Sequence, residues 1–249
     1  MAFSSAISAL PVGPDPLPLT HLTDYQRSLA ILQSGEISAP TPCPVFNENL
    51  VYAFYGRPAY RVNFSNTDAY TSVSYAPICF IFKPETASAK RVFPFDSGGF
   101  SLYRASLHHI DKVDDFLLSD QSCAQRLVGM FYGTNLSYYD IRPLSWLTFG
   151  ALEVDVQNYY NLITGAAHGG DDRNSAIEFQ FDAPLSLSGN LLAVIIPHQL
   201  AQDAAVAGIL SKLNALPIPY KLPGRYRPVE FLMQFRGLVE DFYRRSGYL

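Results

Sequence analysis

Charge is what this chain has least of. Only 16% of its 249 residues are Asp, Glu, Lys or Arg, and they sum to −4 at neutral pH. With no basic coat, capture of long nucleic acid by bulk electrostatics is not expected. Cysteine is scarce as well. Cys43, Cys79 and Cys123 are odd in number, widely spaced and form no C-x-x-C pair. That pattern speaks against a disulfide framework or a zinc knuckle and fits a reducing compartment. His108-His109 has no third ligand at helical spacing, so no metal site is read. No G-x-S-x-G elbow is present, which argues against a serine hydrolase. The most apolar stretch, LLAVIIP at 191–197, is far shorter than the roughly 20 residues that span a bilayer. The opening MAFSSAISALPVGPDPLPL lacks a basic start and a long apolar centre, so no signal peptide is read. The expectation is a soluble, cytoplasmic protein without a membrane partner.

Apolar and aromatic residues are abundant instead. At 48% hydrophobic, the chain is long and apolar enough to bury a sizeable core. It holds 16 Tyr against one Trp. Such rings either rim a core with wet hydroxyls or line a cleft where they stack on a ligand. No repeat and no strong linker divides the sequence, so one α+β domain over 1–249 is expected. Residues 1–18 read as an extended lead-in and 198–249 as a helical C-terminal part.

Local patterns set out the elements. Leu19-Thr20-His21-Leu22 reads as a strand. Asp24 reads as the N-cap of a helix from Tyr25 to Gln33, closed by Gly35. LVYAFYG (50–56) and APICFIF (76–82) read as strands, the second buried on both faces. KRVFPFDSGGF (90–100) reads as a short strand and a turn, and 111–133 as mostly helical. Residues 134–170 mix helix and strand signals. SAIEFQF (175–181) and LLAVIIP read as strands and 198–216 as helix. PIPYKLPGRY reads as a loop, and 228–246 as an amphipathic helix with Pro228 near its start.

Three places stand out chemically. His21-x-Thr23 sits at a strand end before a helix. FYGRPAYR (54–61) breaks a strand into Gly-Arg-Pro among tyrosines. In SAIEFQF, alternation puts Ala176, Glu178 and Gln180 on one face, opposite Ile177, Phe179 and Phe181. A glutamate in mid-strand is unfavourable, which suggests that something compensates it. Each place also has a plainer reading. His21 would cap or pack, Arg57 would form a surface ion pair at a rigid turn, and Glu178 would pair with Arg173 or face water. FPFDSGGF reads equally as a ligand-side loop or as a β-turn built on Asp96 and Gly98. Arg225, Arg227, Arg236, Arg244 and Arg245 read as solvated helix faces or as one side of a basic groove.

Taken in order, His21-x-Thr23, AFYGRPAYR, RVFPFDSGGF, RNSAIEFQ and LLAVIIP resemble the ADP-ribosyltransferases, and among them the DarT-like branch of toxins that modify nucleic-acid bases with NAD. The resemblance spans roughly residues 19–200 and rests on motif order. It implies a split β-sheet core with flanking helices and a C-terminal helical segment. It also implies NAD as substrate, a nucleic-acid or protein acceptor, an antiphage role and a neutralising antitoxin. His21 would contact a ribose of NAD and Thr23 would support it. Tyr55 or Tyr60 would stack on nicotinamide. Arg57 would assist proton movement or orient the acceptor, and Glu178 would be the catalytic carboxylate. Here GRPAY stands where the branch has a Pro-Arg-Ser-Pro type of turn. The chemistry suits these residue types, because losing nicotinamide leaves an oxocarbenium-like ribose that a carboxylate stabilises. A non-enzymatic binding module on the same scaffold, or an NAD glycohydrolase, are the alternatives.

Overall fold

The computed structural model describes residues 2–59, 69–104, 106–108, 110–165 and 172–249. Tyr60, expected as a ring for nicotinamide, lies outside the described residues, as does His109. The chain runs α1 (Phe3–Ser8), β1 (Leu19–Asp24), α2 (Tyr25–Ser34), β2 (Glu36–Ile37), β3 (Val51–Tyr55), β4 (Pro77–Phe82) and β5 (Arg91–Phe93). It continues with α3 (Phe100–Tyr103), α4 (Cys123–Tyr132), α5 (Asn135–Tyr139), α6 (Val154–Thr164), β6 (Glu178–Phe181), β7 (Leu185–Ser186) and β8 (Leu191–Pro197). It ends with α7 (His198–Ala201), α8 (Ala204–Lys212), β9 (Leu216–Tyr220) and α9 (Phe231–Ser246). The class is α+β, with a mixed seven-stranded sheet in the order β5-β6-β3-β1-β4-β8-β9 and a small β2-β7 pair.

Helices cover both faces of the large sheet. Leu19, Val51, Ala53, Tyr55, Phe80, Phe82, Phe179 and Val194 share one core with side chains of α1, α4 and α6. Leu22, Cys79, Ile81, Ala193 and Ile195 face the other way, onto Phe231, Phe235, Val239 and Tyr243 of α9. This two-sided cover explains why all of β4 is buried and why its sequence does not alternate.

The central pair, β1 and β3, parts early. The strands pair only at Leu19–Tyr55 and Thr20–Phe54. Beyond that point β1 stays on β4 as far as Asp24, and β3 stays on β6 as far as Val51. A gap therefore opens between them at His21 and Tyr52.

Several local expectations are met. Asp24 accepts the backbone N–H of Arg27 at 2.8 Å, and Gly35 closes α2 with φ of +77°, a conformation that glycine takes without Cβ strain. Others need correction. The lead-in contains α1, whose Phe3 and Ile7 are fully buried. Burying each contributes about 1.5–3 kcal/mol, enough to fold a Pro- and Gly-flanked segment onto the core. In 111–133 the α-helix covers only 123–132, after a short 3-10 turn at Val113–Phe116. Residues 198–216 form two helices, α7 and α8. LPIPY is not a loop but the edge strand β9, parallel to β8. Pro217 and Pro219 alternate along it, and an edge strand tolerates a missing N–H on its open side. The C-terminal part is thus not wholly helical.

Candidate functional site

Glu178 opens β6. It pairs with Phe54 on one side and Phe93 on the other, so it projects from the face that carries Thr20, Tyr52 and Gln180. Only 1% of it is exposed. Glu178 does not face water, since β6 is buried on both faces. The turn at Ser97–Gly99 after β5 covers it. Ser97 Oγ donates to Glu178 Oε1 at 2.7 Å, Gln180 Nε2 donates to the same oxygen at 2.7 Å, and Ser97 N–H reaches Oε2 at 3.3 Å. Oε1 has two side-chain donors and Oε2 one long backbone donor, so the free acceptor capacity lies on Oε2. Burial, and next the nearby Asp96 carboxylate, push the Glu178 carboxyl up to about 8, against the opposing pull of Ser97 and Gln180.

Asp96 shapes that turn. Its Oδ1 accepts Gly98 N–H at 2.9 Å, which is the β-turn reading, and its Oδ2 lies 3.4 Å from Arg173 Nη1. The same turn delivers Ser97 to Glu178, so FPFDSGGF is both a turn and a wall of the site. Arg173 thus pairs with Asp96.

His21 lies where the sheet parts. Its register with Phe80 puts it with Leu19 and Thr23 on the face opposite Glu178. Its ring, however, turns into the gap, with Nδ1 2.7 Å from the carbonyl of Tyr52. A carbonyl only accepts, so Nδ1 carries the hydrogen. Burial lowers the imidazole pKa, with the Tyr52 bond opposing and Arg27 adding to the depression. The ring is therefore neutral near pH 7, and Nε2 keeps a lone pair. Thr23 is buried two residues on, on the same face.

Tyr52 joins the two. Its carbonyl holds His21. Its side chain lies on the Glu178 face, opposite Gln180 in the ladder. Its hydroxyl is buried, makes no well-formed hydrogen bond among the described residues, and lies against the Cys43 thiol. The phenol pKa is raised first by burial, then by Cys43, Glu178 and Asp96. The motif resemblance points to Tyr55 or Tyr60 instead. Alternation along VYAFY carried the missing signal: Val51, Ala53 and Tyr55 form the core face, so Tyr52 is the tyrosine of the other one.

Two expected residues are placed elsewhere. Tyr55 is 3% exposed and stacks on Phe179, with centroids 6.0 Å apart and planes at 8°. Its hydroxyl accepts Leu17 N–H at 2.9 Å. A ring packed this way offers no platform to nicotinamide. Arg57 is fully buried, so the surface ion pair fails as well. Its Nη1 donates to Tyr138 O at 2.7 Å, its Nη2 to Ser175 Oγ at 2.8 Å and Asp172 O at 3.2 Å, and its carbon lies 4.7 Å over the Tyr138 ring. It ties the end of β3 to α5 and to the turn before β6. Two of the C-terminal arginines are engaged within the fold. Arg236 pairs with Asp172 at 3.2 Å and bonds Tyr139 O, while Arg244 pairs with Glu240 at 2.8 Å.

Among the described residues no cluster of His, Cys, Asp and Glu suits a metal ion, and no helix is long and apolar enough to cross a membrane. Comparison with family models, with curated proteins and with solved structures finds no match to this chain.

Proposed function

We propose that the chain is an NAD-dependent mono-ADP-ribosyltransferase acting on a macromolecular acceptor, nucleic acid or protein. The observation that carries this reading is Tyr52. One residue holds the His21 ring through its carbonyl and sets a buried hydroxyl, close to Cys43, on the face that carries Glu178, at the point where the sheet splits. The split sheet and the motif order that resembles the ADP-ribosyltransferases support the same conclusion.

The groups left over match what a ribosyl nicotinamide offers. His21 Nε2 and Glu178 Oε2 accept, which suits ribose hydroxyls. The Tyr52 hydroxyl can donate. The dinucleotide's nicotinamide ring is cationic, and its approach favours the ionised form of Glu178. Heterolysis of the C1′–N bond sends the electron pair to nicotinamide, which leaves neutral. The ribose keeps the positive charge, and the Glu178 carboxylate stabilises it. An acceptor nucleophile then bonds to C1′ and gives up its proton to a base or to water. Arg57 and Tyr55 support the scaffold in this scheme and do not touch the reacting atoms.

Incubation with NAD labelled in its adenylate half tests the reading. Nicotinamide release with label on DNA, RNA or protein supports transfer. Release with free ADP-ribose alone makes the chain a glycohydrolase. Binding without release makes it a binding module, and neither binding nor release overturns the site.

A further inference from the structure

Arg91 does not touch Glu178, yet it governs which way the groups around that carboxylate point. The residue lies on β5 and pairs with Gln180 in the ladder. Its Nη1 is 3.5 Å from Gln180 Oε1. Glu48 holds the guanidinium in place with two contacts, 2.6 Å to Nη2 and 3.2 Å to Nη1. The Phe46 ring lies 4.8 Å beneath it, and Lys90 pairs with the same Glu48 at 2.7 Å. Arg91 is thus a fixed positive charge facing one end of a buried amide.

The amide has two ends and two neighbourhoods. Gln180 Nε2 is 2.7 Å from Glu178 Oε1 and 3.1 Å from Ser97 Oγ, both acceptors in that arrangement. A flipped amide would set its oxygen against Glu178 Oε1 and its N–H groups against the guanidinium, so the field of Arg91 selects one orientation. Once Nε2 donates to Ser97 Oγ, the serine's own hydrogen goes to Glu178 Oε1 at 2.7 Å. Every donor in the chain then points the same way, from guanidinium to amide to hydroxyl to carboxylate.

We propose that Arg91 is a positioning residue for Glu178, acting through the Gln180 amide and the Ser97 hydroxyl so that Oε1 is fully bonded and Oε2 is the oxygen that meets substrate. The inference concerns the ordering of the carboxylate. It rests on the proposed transferase only for what Oε2 then does.

The test reads Glu178 directly. The carboxyl is titrated by carbon-13 NMR in the whole protein, wild type and Arg91→Met, whose stem still covers Phe46. Other groups near the carboxyl, namely Asp96 with its Arg173 partner and Tyr52, are unchanged in both proteins. Losing the guanidinium frees the amide to flip, and Glu178 becomes a roughly tenfold weaker acid. In a Gln180→Met background the same Arg91 substitution has no further effect. A shift of equal size in that background means that Arg91 acts through space, and overturns the relay. No shift in either background overturns it too. If Arg91→Met does not fold, Arg91→Lys serves, with a smaller shift in the same direction and the same dependence on Gln180. A protein that releases no nicotinamide still gives a titration, so failure of the transferase reading and failure of the relay are separate results.

Discussion

The Tyr52 carbonyl accepts the Nδ1 hydrogen of His21 at 2.7 Å across the place where β1 and β3 separate. In an unbroken sheet that carbonyl would bond to the backbone of β1. Here a side chain takes over the role, and the bond fixes the imidazole tautomer, with the lone pair on Nε2. His21→Ala removes the ring and leaves the carbonyl without a partner. The expected result is a loss of about 1–3 kcal/mol in stability and of NAD binding by titration calorimetry. His21→Asn returns an N–H donor and should regain much of the stability without the binding.

Glu178→Gln should slow nicotinamide release by roughly 100- to 1,000-fold, the usual loss when a preorganised charge partner is removed. Folding should survive, because the native environment already favours the uncharged carboxyl. A substitution with full activity would remove Glu178 from the mechanism.

The same shift makes stability depend on pH. The Glu178 carboxyl goes from 4.5 in the ordinary range to about 8 in the fold. The raised value means that the native state holds a proton that the unfolded chain releases. This contribution is complete below about 4.5 and declines as pH rises, by at most about 1.4 kcal/mol per pH unit, until about 8. Denaturant midpoints of the wild type minus those of Glu178→Gln should therefore fall steadily across pH 5–8. Nicotinamide release by the wild type should rise over the upper part of the same window as the carboxylate forms. A flat difference would mean that the carboxyl titrates normally.

Arg57 was legible in the sequence as a singular residue but not as a structural one. A guanidinium after a strand reads as an active-site or surface group because arginine is seldom buried. What buries it is the packing of α5, which lies in the stretch of mixed signals, and of the turn at Asp172–Ser175; the positions of both come from long-range contacts. The α+β class, β1, the caps of α2 and the doubly buried β4 were legible because strand alternation and capping chemistry are local. β9 was not, since prolines are tolerated there only because the strand is at an edge, and edge status belongs to the assembled sheet. Glu178 and Gln180 were legible as one face of one strand. Ser97 and Tyr52 come from other segments and meet them only through register. Arg57→Met should cost about 2–5 kcal/mol, as the buried Tyr138 carbonyl, the partly buried Asp172 carbonyl and Ser175 lose their donor. NAD affinity of the folded fraction should be unchanged. Loss of affinity at full stability would restore Arg57 to the site.

Tyr55 and Tyr52 make a paired test of which tyrosine belongs to the site, because they lie on opposite faces of β3. Tyr55→Phe keeps the ring on Phe179 but removes the acceptor of the buried Leu17 N–H, so stability should fall by about 1–3 kcal/mol with turnover intact. Tyr52→Phe removes a buried hydroxyl that makes no well-formed hydrogen bond among the described residues and has the weakly bonding Cys43 thiol beside it. Deleting a poorly satisfied buried polar group costs little and relieves a desolvation penalty, so melting temperature should hold or rise. Nicotinamide release should fall if the hydroxyl donates to substrate. If Tyr55→Phe abolishes turnover while Tyr52→Phe leaves it untouched, the core-facing tyrosine is the working one, and the gap at His21 is not where NAD sits.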